Sequence, residues 1–181
     1  QLFLARKKTE GKSDRTIEQY KMHLTHMLQY LNMAVEKITE NDLFVYLAKY
    51  KKDKDVSNVY LDNIRLVFSS FFGWLNAKGY IPKNPTSGLE PIKVEKKIKQ
   101  PFSDEDLEKL RRICEQERDL ALVEFLYSTG VRVSELVALN RKDIDFYGKN
   151  VIVYGKGSKE RETYLTATSC LHLKAYLDSR S

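Results

Sequence analysis

Residues 128–136 read Ser-Thr-Gly-Val-Arg-Val-Ser-Glu-Leu. An apolar helical run ends at their start, and Gly130 can adopt the left-handed conformation that closes a helix. A second apolar run starts at Val133, so Arg132 lies at or near the start of another helix, with Glu135 one turn further on the same face. Free N–H groups and the helix dipole favour an anion at such a place. The spacing therefore predicts either an anion-binding arginine or a structural Arg132–Glu135 ion pair.

A second motif, Gly-Lys-Gly-Ser-Lys-Glu-Arg, occupies residues 155–161. The β-branched run 151–154 precedes it and the run 162–165 follows it, which predicts a small antiparallel β-hairpin with the motif at its tip. Glycine on both sides of Lys156 lets the backbone turn tightly and approach another molecule closely. Taken alone, such a Gly-Lys-Gly turn is most simply the tip of a hairpin.

In their order and spacing, these two motifs resemble those of the tyrosine recombinase (phage integrase) family, especially its Xer-like members. Residues 1–100 are similar to that family's DNA-gripping domain, so the resemblance covers essentially the whole chain. It implies that Arg132 donates a forked pair of hydrogen bonds to the scissile phosphate, that Glu135 orients this centre, and that Lys156 is the general acid for the leaving 5′ hydroxyl. The family chemistry uses no cofactor and no metal.

The family completes its active site with a His-x-x-Arg pair, a further His or Trp, and a tyrosine that attacks phosphorus. In this sequence His172 is followed three residues on by Ala175, and none of the eleven tyrosines stands in the context of that nucleophile. We therefore expect the first part of a site-specific recombinase, an enzyme that cleaves and rejoins DNA through a 3′-phosphotyrosine intermediate, and no cleavage by these residues alone. The alternative is a non-catalytic DNA-binding regulator derived from a recombinase. A type IB topoisomerase shares the chemistry, but the Xer-like helical N-terminal domain argues against it.

Hydrophobic periodicity predicts a mainly α fold. In the first half, helices are expected after the cap at Ser13 or Asp14, after the capping box that starts at Thr39, over 61–75, and briefly over 86–89. Such helices resemble the family's four-helix core-binding (SAM-like) domain. A truncated α+β catalytic domain with a small antiparallel β-hairpin or sheet is expected to follow, beginning with a helix capped by Ser103.

These patterns divide the chain into three segments. We expect a core-binding domain over 1–89, a charged, lysine-rich linker over 90–101, and a partial catalytic domain over 102–181. By the resemblance, the linker joins the two halves of a clamp around the DNA duplex.

The net charge of +6 is unevenly distributed. Residues 1–100 hold 18 Lys and Arg against 11 Asp and Glu, whereas residues 101–181 hold 13 against 14, so the basic excess lies in the first half. A polyanionic partner would favour this distribution, although basic halves also occur in proteins that bind no nucleic acid. The residues expected to contact DNA are Lys49, Lys51, Lys52, Lys93, Lys96, Lys97, Lys99, Lys159 and Arg161.

The expected partners are double-stranded DNA and other recombinase protomers, as a tetramer in the full-length protein.

No apolar run approaches the ~20 residues of a membrane span, and the start of the chain has no signal-peptide pattern. Cys114 and Cys170 fit neither a disulfide framework nor a zinc site, and His23 and His26 share a helix face without a third ligand nearby. We expect a cytoplasmic protein that binds no metal and acts either in chromosome dimer resolution or in integration and excision of a mobile element.

Overall fold

The computed structural model describes residues 1–94, 98, 100–155 and 160–180, and the chain divides into two compact units, Gln1–Lys97 and Ile98–Ser181. Over the described residues the fold is mainly helical, with eight α-helices and one three-stranded antiparallel sheet. The predicted fold class is thus confirmed. None of the helices in this described part has the length and apolar character of a membrane span.

Within its described residues, the first unit is built from four helices, α1 (Leu2–Thr9), α2 (Asp14–Leu31), α3 (Glu40–Lys54) and α4 (Asn58–Ala77). Two predicted caps are present. The Ser13 side chain accepts a backbone N–H in the first turn of α2, and Thr39 forms a reciprocal capping box with Asp42 at the start of α3. The apolar stripe of α4 faces the core, where Phe68 and Phe72 are fully buried.

The prediction of a short helix over 86–89 is wrong. Residues 85–88 form turns, because the Asn84 side chain accepts the Thr86 N–H at 3.0 Å and the Thr86 hydroxyl at 2.8 Å. A side-chain turn of this kind offers the backbone an alternative to helical hydrogen bonds. The fourth helix of the unit is instead α1, at the basic start of the chain.

Polar side chains of α4 hold residues 89–93. Asp62 accepts the Ile92 N–H at 2.9 Å and pairs with Arg65 at 2.7 Å, and Asn58 donates its side-chain amide to the Lys93 carbonyl at 2.8 Å. The chain is therefore fixed to α4 as far as Lys93.

The second unit contains helices α5 (Asp104–Ile113), α6 (Glu117–Thr129), α7 (Val133–Ala138) and α8 (Ala167–Ser179), and strands β1 (Ile144–Asp145), β2 (Asn150–Tyr154) and β3 (Glu160–Tyr164). The predicted cap at Ser103 is confirmed, as a capping box with Asp106. The strands pair in the order β1–β2–β3. The predicted hairpin is therefore present as β2 and β3, with the two-residue β1 added at one edge.

One face of this sheet forms part of the core of the second unit. Val151 and Val153 of β2 are buried there against apolar residues of α6 and α8. Their register partners on β3 are Thr163 and Arg161. Residues directly opposite each other in antiparallel strands lie on the same face, so these two polar side chains lie on the core side of the sheet.

Candidate active site

Arg132 lies in a sharp connection between two helices. α6 ends at Thr129, and its C-cap residue Gly130 has a left-handed φ of 58° and donates its N–H to the Leu126 carbonyl at 3.0 Å. Val131 is buried, and α7 starts directly after Arg132, which is its N-cap residue. The predicted helix–glycine–helix arrangement is confirmed, and it fixes the backbone from which the Arg132 side chain extends.

The carboxylate of Glu135 is the centre of the site. Its Oε2 accepts the Arg132 N–H at 2.9 Å and Arg161 Nη2 at 2.6 Å, and its Oε1 accepts Arg132 Nη1 at 2.7 Å. Only 4% of the Glu135 side chain is exposed. A carboxylate this buried is stable only beside positive donors, so Glu135 fixes the positions of the two arginines relative to each other.

The Arg132 N–H, which the sequence suggested as part of an anion site, is occupied. Glu135 reaches back from the first turn of α7 and accepts it, and α7 is only six residues long. That N–H is therefore not available to an anion, which leaves the side chain of Arg132 as its donor group.

The Arg132 side chain is largely in solvent, with 71% of it exposed. Glu135 engages its Nη1, and among the described residues Nε and Nη2 have no hydrogen-bond partner. A guanidinium is planar and carries five N–H donors. Arg132 can therefore keep its bond to Glu135 and still offer a forked pair of donors to phosphate oxygens. The ion pair and the anion-binding arginine, which the sequence left as alternatives, are compatible.

Hydrogen bonds lower the pKa of Glu135 from 4.5 to about 2. The largest cause is the backbone N–H of Arg132, followed by the Arg132 side chain, with a smaller contribution from Arg161. Glu135 is therefore ionised at neutral pH. Two arginines against this one carboxylate leave the cluster net positive, which suits a phosphate ligand.

Sequence reasoning assigns Arg161 to phosphate contact and misses its bond to Glu135. A signal for that bond was present in the returning strand. Side chains alternate along a strand, so the apolar Leu165, which is buried, places Thr163 and Arg161 on the same inner face. The Arg161 side chain is 40% exposed, and its contact with DNA stays a prediction.

Two threonines that sequence reasoning did not single out complete the turn before Arg132. Thr129 is buried; its hydroxyl donates to the Phe125 carbonyl at 2.6 Å and accepts the Val131 N–H at 3.4 Å. Thr163 of β3 donates its hydroxyl to the Thr129 carbonyl at 2.8 Å. Strand β3 is thus tied to the turn on one side of Arg132 by Thr163 and to Glu135 on the other side by Arg161.

Lys156 and Lys159 lie outside the described residues. The strands on either side of them end in the register pair Tyr154 and Glu160, so both lysines belong to the connection between β2 and β3. Their roles in acid catalysis and phosphate contact stay predictions from the resemblance.

One side chain connects two of the lysines predicted to contact DNA. Lys51 donates to the Asn58 side-chain oxygen at 2.6 Å, and Asn58 donates to the Lys93 carbonyl at 2.8 Å. Lys49 and Lys52 are exposed on the same helix as Lys51. The structure therefore places Lys51 and Lys93 on one surface of the first unit. The predicted contacts that lie outside the described residues here are Lys96, Lys97 and Lys99.

Among the described residues, no group of three or more His, Cys, Asp and Glu side chains could hold a metal ion. His23 is buried with its ring 5.6 Å from that of Tyr60, and His172 lies 3.5 Å from a Glu117 oxygen. These histidines have neighbours typical of structural side chains.

Two family models match the chain. The model for the Phage integrase family matches residues 90–181. The model for the phage integrase N-terminal SAM-like domain matches residues 1–80.

The chain is also similar to curated bacterial recombinases. It is 32% identical to the tyrosine recombinase XerD of Oceanobacillus iheyensis, across 92% of this chain and 59% of that protein. It is 28% identical to the tyrosine recombinase XerC of Roseiflexus castenholzii, across 92% of this chain and 56% of that protein. The chain thus spans somewhat more than half the length of these relatives.

Two solved structures share the fold. The integrase of the Tn1549 transposon, in complex with circular intermediate DNA, aligns with a TM-score of 0.75 at 18% identity, over 99% of this chain and 64% of that one. A lambda integrase dimer bound to a COC′ core site aligns with a TM-score of 0.75 at 18% identity, over 98% of this chain and 68% of that one. At this level of identity the similarity establishes the fold of the chain.

The lowered pKa of Glu135 predicts how the second unit responds to acid. Because the folded-state pKa of about 2 lies below the ordinary value of 4.5, ionised Glu135 stabilises the fold fully above about pH 4.5 and loses that contribution as the pH falls toward 2. Glu135→Gln should therefore lower the melting temperature at pH 7. The difference from the unaltered chain should shrink between about pH 4.5 and pH 2.

Circular dichroism melts at several pH values measure this difference. The single tryptophan, Trp74, lies in the first unit, so its fluorescence melt serves as an internal control that should not change. Glu160→Gln, at an exposed position on β3, is the matched variant and should melt like the unaltered chain. A melting difference for Glu135→Gln that stays constant down to pH 2 would contradict the assignment.

Proposed function

The chain belongs to the phage integrase family of tyrosine recombinases, and on that basis we propose that it takes part in site-specific DNA recombination, in which strands are cleaved and rejoined. The observation that carries the proposal is the ion pair between the exposed guanidinium of Arg132 and the buried carboxylate of Glu135. A fixed, positively charged donor with unpaired N–H groups is what a phosphate in the transition state requires.

Cleavage of a phosphodiester without a metal needs three groups: a nucleophile, donors for the non-bridging oxygens, and an acid for the leaving oxygen. We assign the donor role to Arg132 and the orienting role to Glu135. Lys156 protonates the 5′ oxygen as the P–O bond to it breaks. In the family reaction a tyrosine oxygen forms the new bond to phosphorus, which gives a 3′-phosphotyrosine link, and attack by a 5′ hydroxyl reverses the step.

We propose that residues 1–89 are the core-binding domain, that 90–101 are the linker, and that 102–181 are part of the catalytic domain. The excess of 18 basic over 11 acidic residues in 1–100 supports a DNA-gripping role for the first two segments. The surface that carries Lys51 and Lys93 is the proposed contact with the DNA backbone. Asn58 bonds to the Lys51 ammonium and to the Lys93 backbone carbonyl, so two basic residues lie near each other there.

The proposed partners are duplex DNA and further recombinase protomers. An exchange between two duplexes requires cleavage of both strands of each, so a tetramer with one active site per strand is the expected assembly. We place this activity in the cytoplasm, where bacterial DNA lies. The same chemistry serves chromosome dimer resolution and the integration or excision of a mobile element.

The chain should bind duplex DNA with an affinity that falls steeply with salt, because each neutralised phosphate releases condensed counterions. Titration of a labelled duplex at several salt concentrations gives the slope of log K against log salt. Lys51→Met and Lys93→Met should each reduce that slope by about 0.9. Lys21→Met, an exposed lysine of α2 outside the proposed surface, is the control. The proposal would be contradicted if the chain did not bind duplex DNA, or if its affinity did not change with salt concentration.

In the complete protein, Arg132→Ala should slow strand cleavage by on the order of 10²–10³-fold, because a preorganised donor to the transition state is lost. Duplex affinity should change far less, since many other cations share the backbone. Lys156→Ala should be rescued on a substrate whose leaving oxygen is replaced by sulfur, which departs without protonation. Equal defects on the oxygen and sulfur substrates would remove Lys156 from the acid role.

A polypeptide of these 181 residues should bind DNA without forming a covalent adduct. None of its tyrosines stands in the nucleophile's context, and an aligned nucleophile can supply about 7–11 kcal/mol of a barrier. Incubation with a nicked suicide duplex, followed by denaturing electrophoresis, tests this. A protein–DNA band that survives denaturant and disappears when one of these tyrosines becomes Phe would overturn the prediction. Absence of an adduct with the complete protein would favour the non-catalytic DNA-binding regulator instead.

A further inference from the structure

We propose that Arg161 is a positioning residue that acts on Arg132 through Glu135, and that it is not itself a ligand of the DNA phosphate. This replaces the phosphate contact that the resemblance suggested for Arg161. The inference rests on the proposed function, in which Arg132 holds the scissile phosphate.

The two arginine side chains donate to different oxygens of the Glu135 carboxylate. Arg161 Nη2 donates to Oε2 at 2.6 Å, the same oxygen that accepts the Arg132 N–H at 2.9 Å. The Arg132 guanidinium donates to Oε1 at 2.7 Å. Without Arg161, the buried Oε2 would keep only the backbone N–H as a donor, and the carboxylate would lose one of its two positive partners.

Arg132 needs a second element to fix Glu135, because its own ion pair with Glu135 joins residues within one turn at the start of α7. Water screens the Arg132 end of its i,i+3 ion pair with Glu135, because 71% of the Arg132 side chain is in solvent. A long, exposed side chain samples many rotamers unless its partner is fixed. Arg161 fixes that partner from a different element, strand β3, so the position of Glu135 does not depend on α7 alone.

Strand β3 is itself well anchored. Arg161 and Thr163 lie in register with Val153 and Val151, which are both buried. Thr163 bonds to the Thr129 carbonyl at 2.8 Å, so β3 contacts the chain on both sides of Arg132. In the sequence, β3 also follows directly after the segment that carries Lys156. Arg161 therefore connects two parts of the proposed site. It lies on the strand that follows Lys156, the proposed general acid, and it bonds to Glu135, which holds Arg132.

A double-mutant cycle in the complete protein tests the inference, with Arg161→Met, Glu135→Gln and the double variant. Strand cleavage is measured on a nicked suicide duplex, and duplex affinity is measured as a function of salt. Arg161→Met alone should slow cleavage by on the order of 10²-fold, the effect of misplacing a catalytic group by about 1 Å. In the Glu135→Gln background, Arg161→Met should not slow cleavage further, because the carboxylate through which it acts is gone. In neither background should Arg161→Met change the salt slope.

A direct phosphate ligand would behave differently. Its loss would lower the salt slope by about 0.9 in either background, and the two cleavage defects would multiply. Either result would overturn the inference and leave the proposed function standing. Failure of the unaltered protein to cleave DNA would overturn the proposed function, and this inference with it.

Two further variants keep the test sound if Arg161→Met unfolds the second unit. Arg161→Gln removes the charge but keeps a polar side chain. It should keep the salt slope of the unaltered protein, whereas loss of a phosphate ligand would lower that slope by about 0.9. Arg112→Met removes an exposed arginine of α5 and should leave cleavage unchanged. Circular dichroism melts of each variant establish that it is folded.

Discussion

Glu135 carries a negative charge where only 4% of its side chain reaches solvent, and such a charge is stable only while positive donors surround it. Its donors come from two directions, the residue before α7 and the strand β3. The second unit therefore has to bring a helix start and a strand edge to one point. The left-handed turn at Gly130 and the buried valines of β2 achieve this, since the first directs the chain into α7 and the second holds β3 against the core.

This geometry gives a physical reason why the two sequence motifs occur together. The glutamate of the first motif, Glu135, bonds to the last residue of the second, Arg161, although 26 residues separate them. The first motif and Arg161 of the second thus lie together, with Arg132 facing solvent and its carboxylate partner facing the core. An arginine that is paired on one side and free on the other can bind a phosphate without a large change of its own position.

Local signals in the sequence predicted much of this fold. Caps at Ser13, Thr39 and Ser103, the glycine that ends α6, and the β-branched run of β2 act within a few residues, so their effect can be inferred without tertiary contacts. The turn at 85–88 was missed because Asn84 replaces helical hydrogen bonds with its own side chain. The bond between Arg161 and Glu135 was not predicted, because it joins residues 26 positions apart on different elements, which no local pattern pairs. The attachment of residues 89–93 to α4 depends on Asp62, which no local pattern distinguishes from other surface acids.

The proposed arrangement of Arg132, Glu135 and Arg161 is tested most directly by a crystal structure of the complete protein bound to a duplex that carries its recombination site. A non-bridging oxygen of the scissile phosphate should lie about 3 Å from the free nitrogens of Arg132. In the same structure, Glu135 should still hold Nη1 of Arg132 and Nη2 of Arg161. A structure in which Arg132 points away from the phosphate, or in which Arg161 leaves Glu135 to bind the phosphate itself, would contradict it.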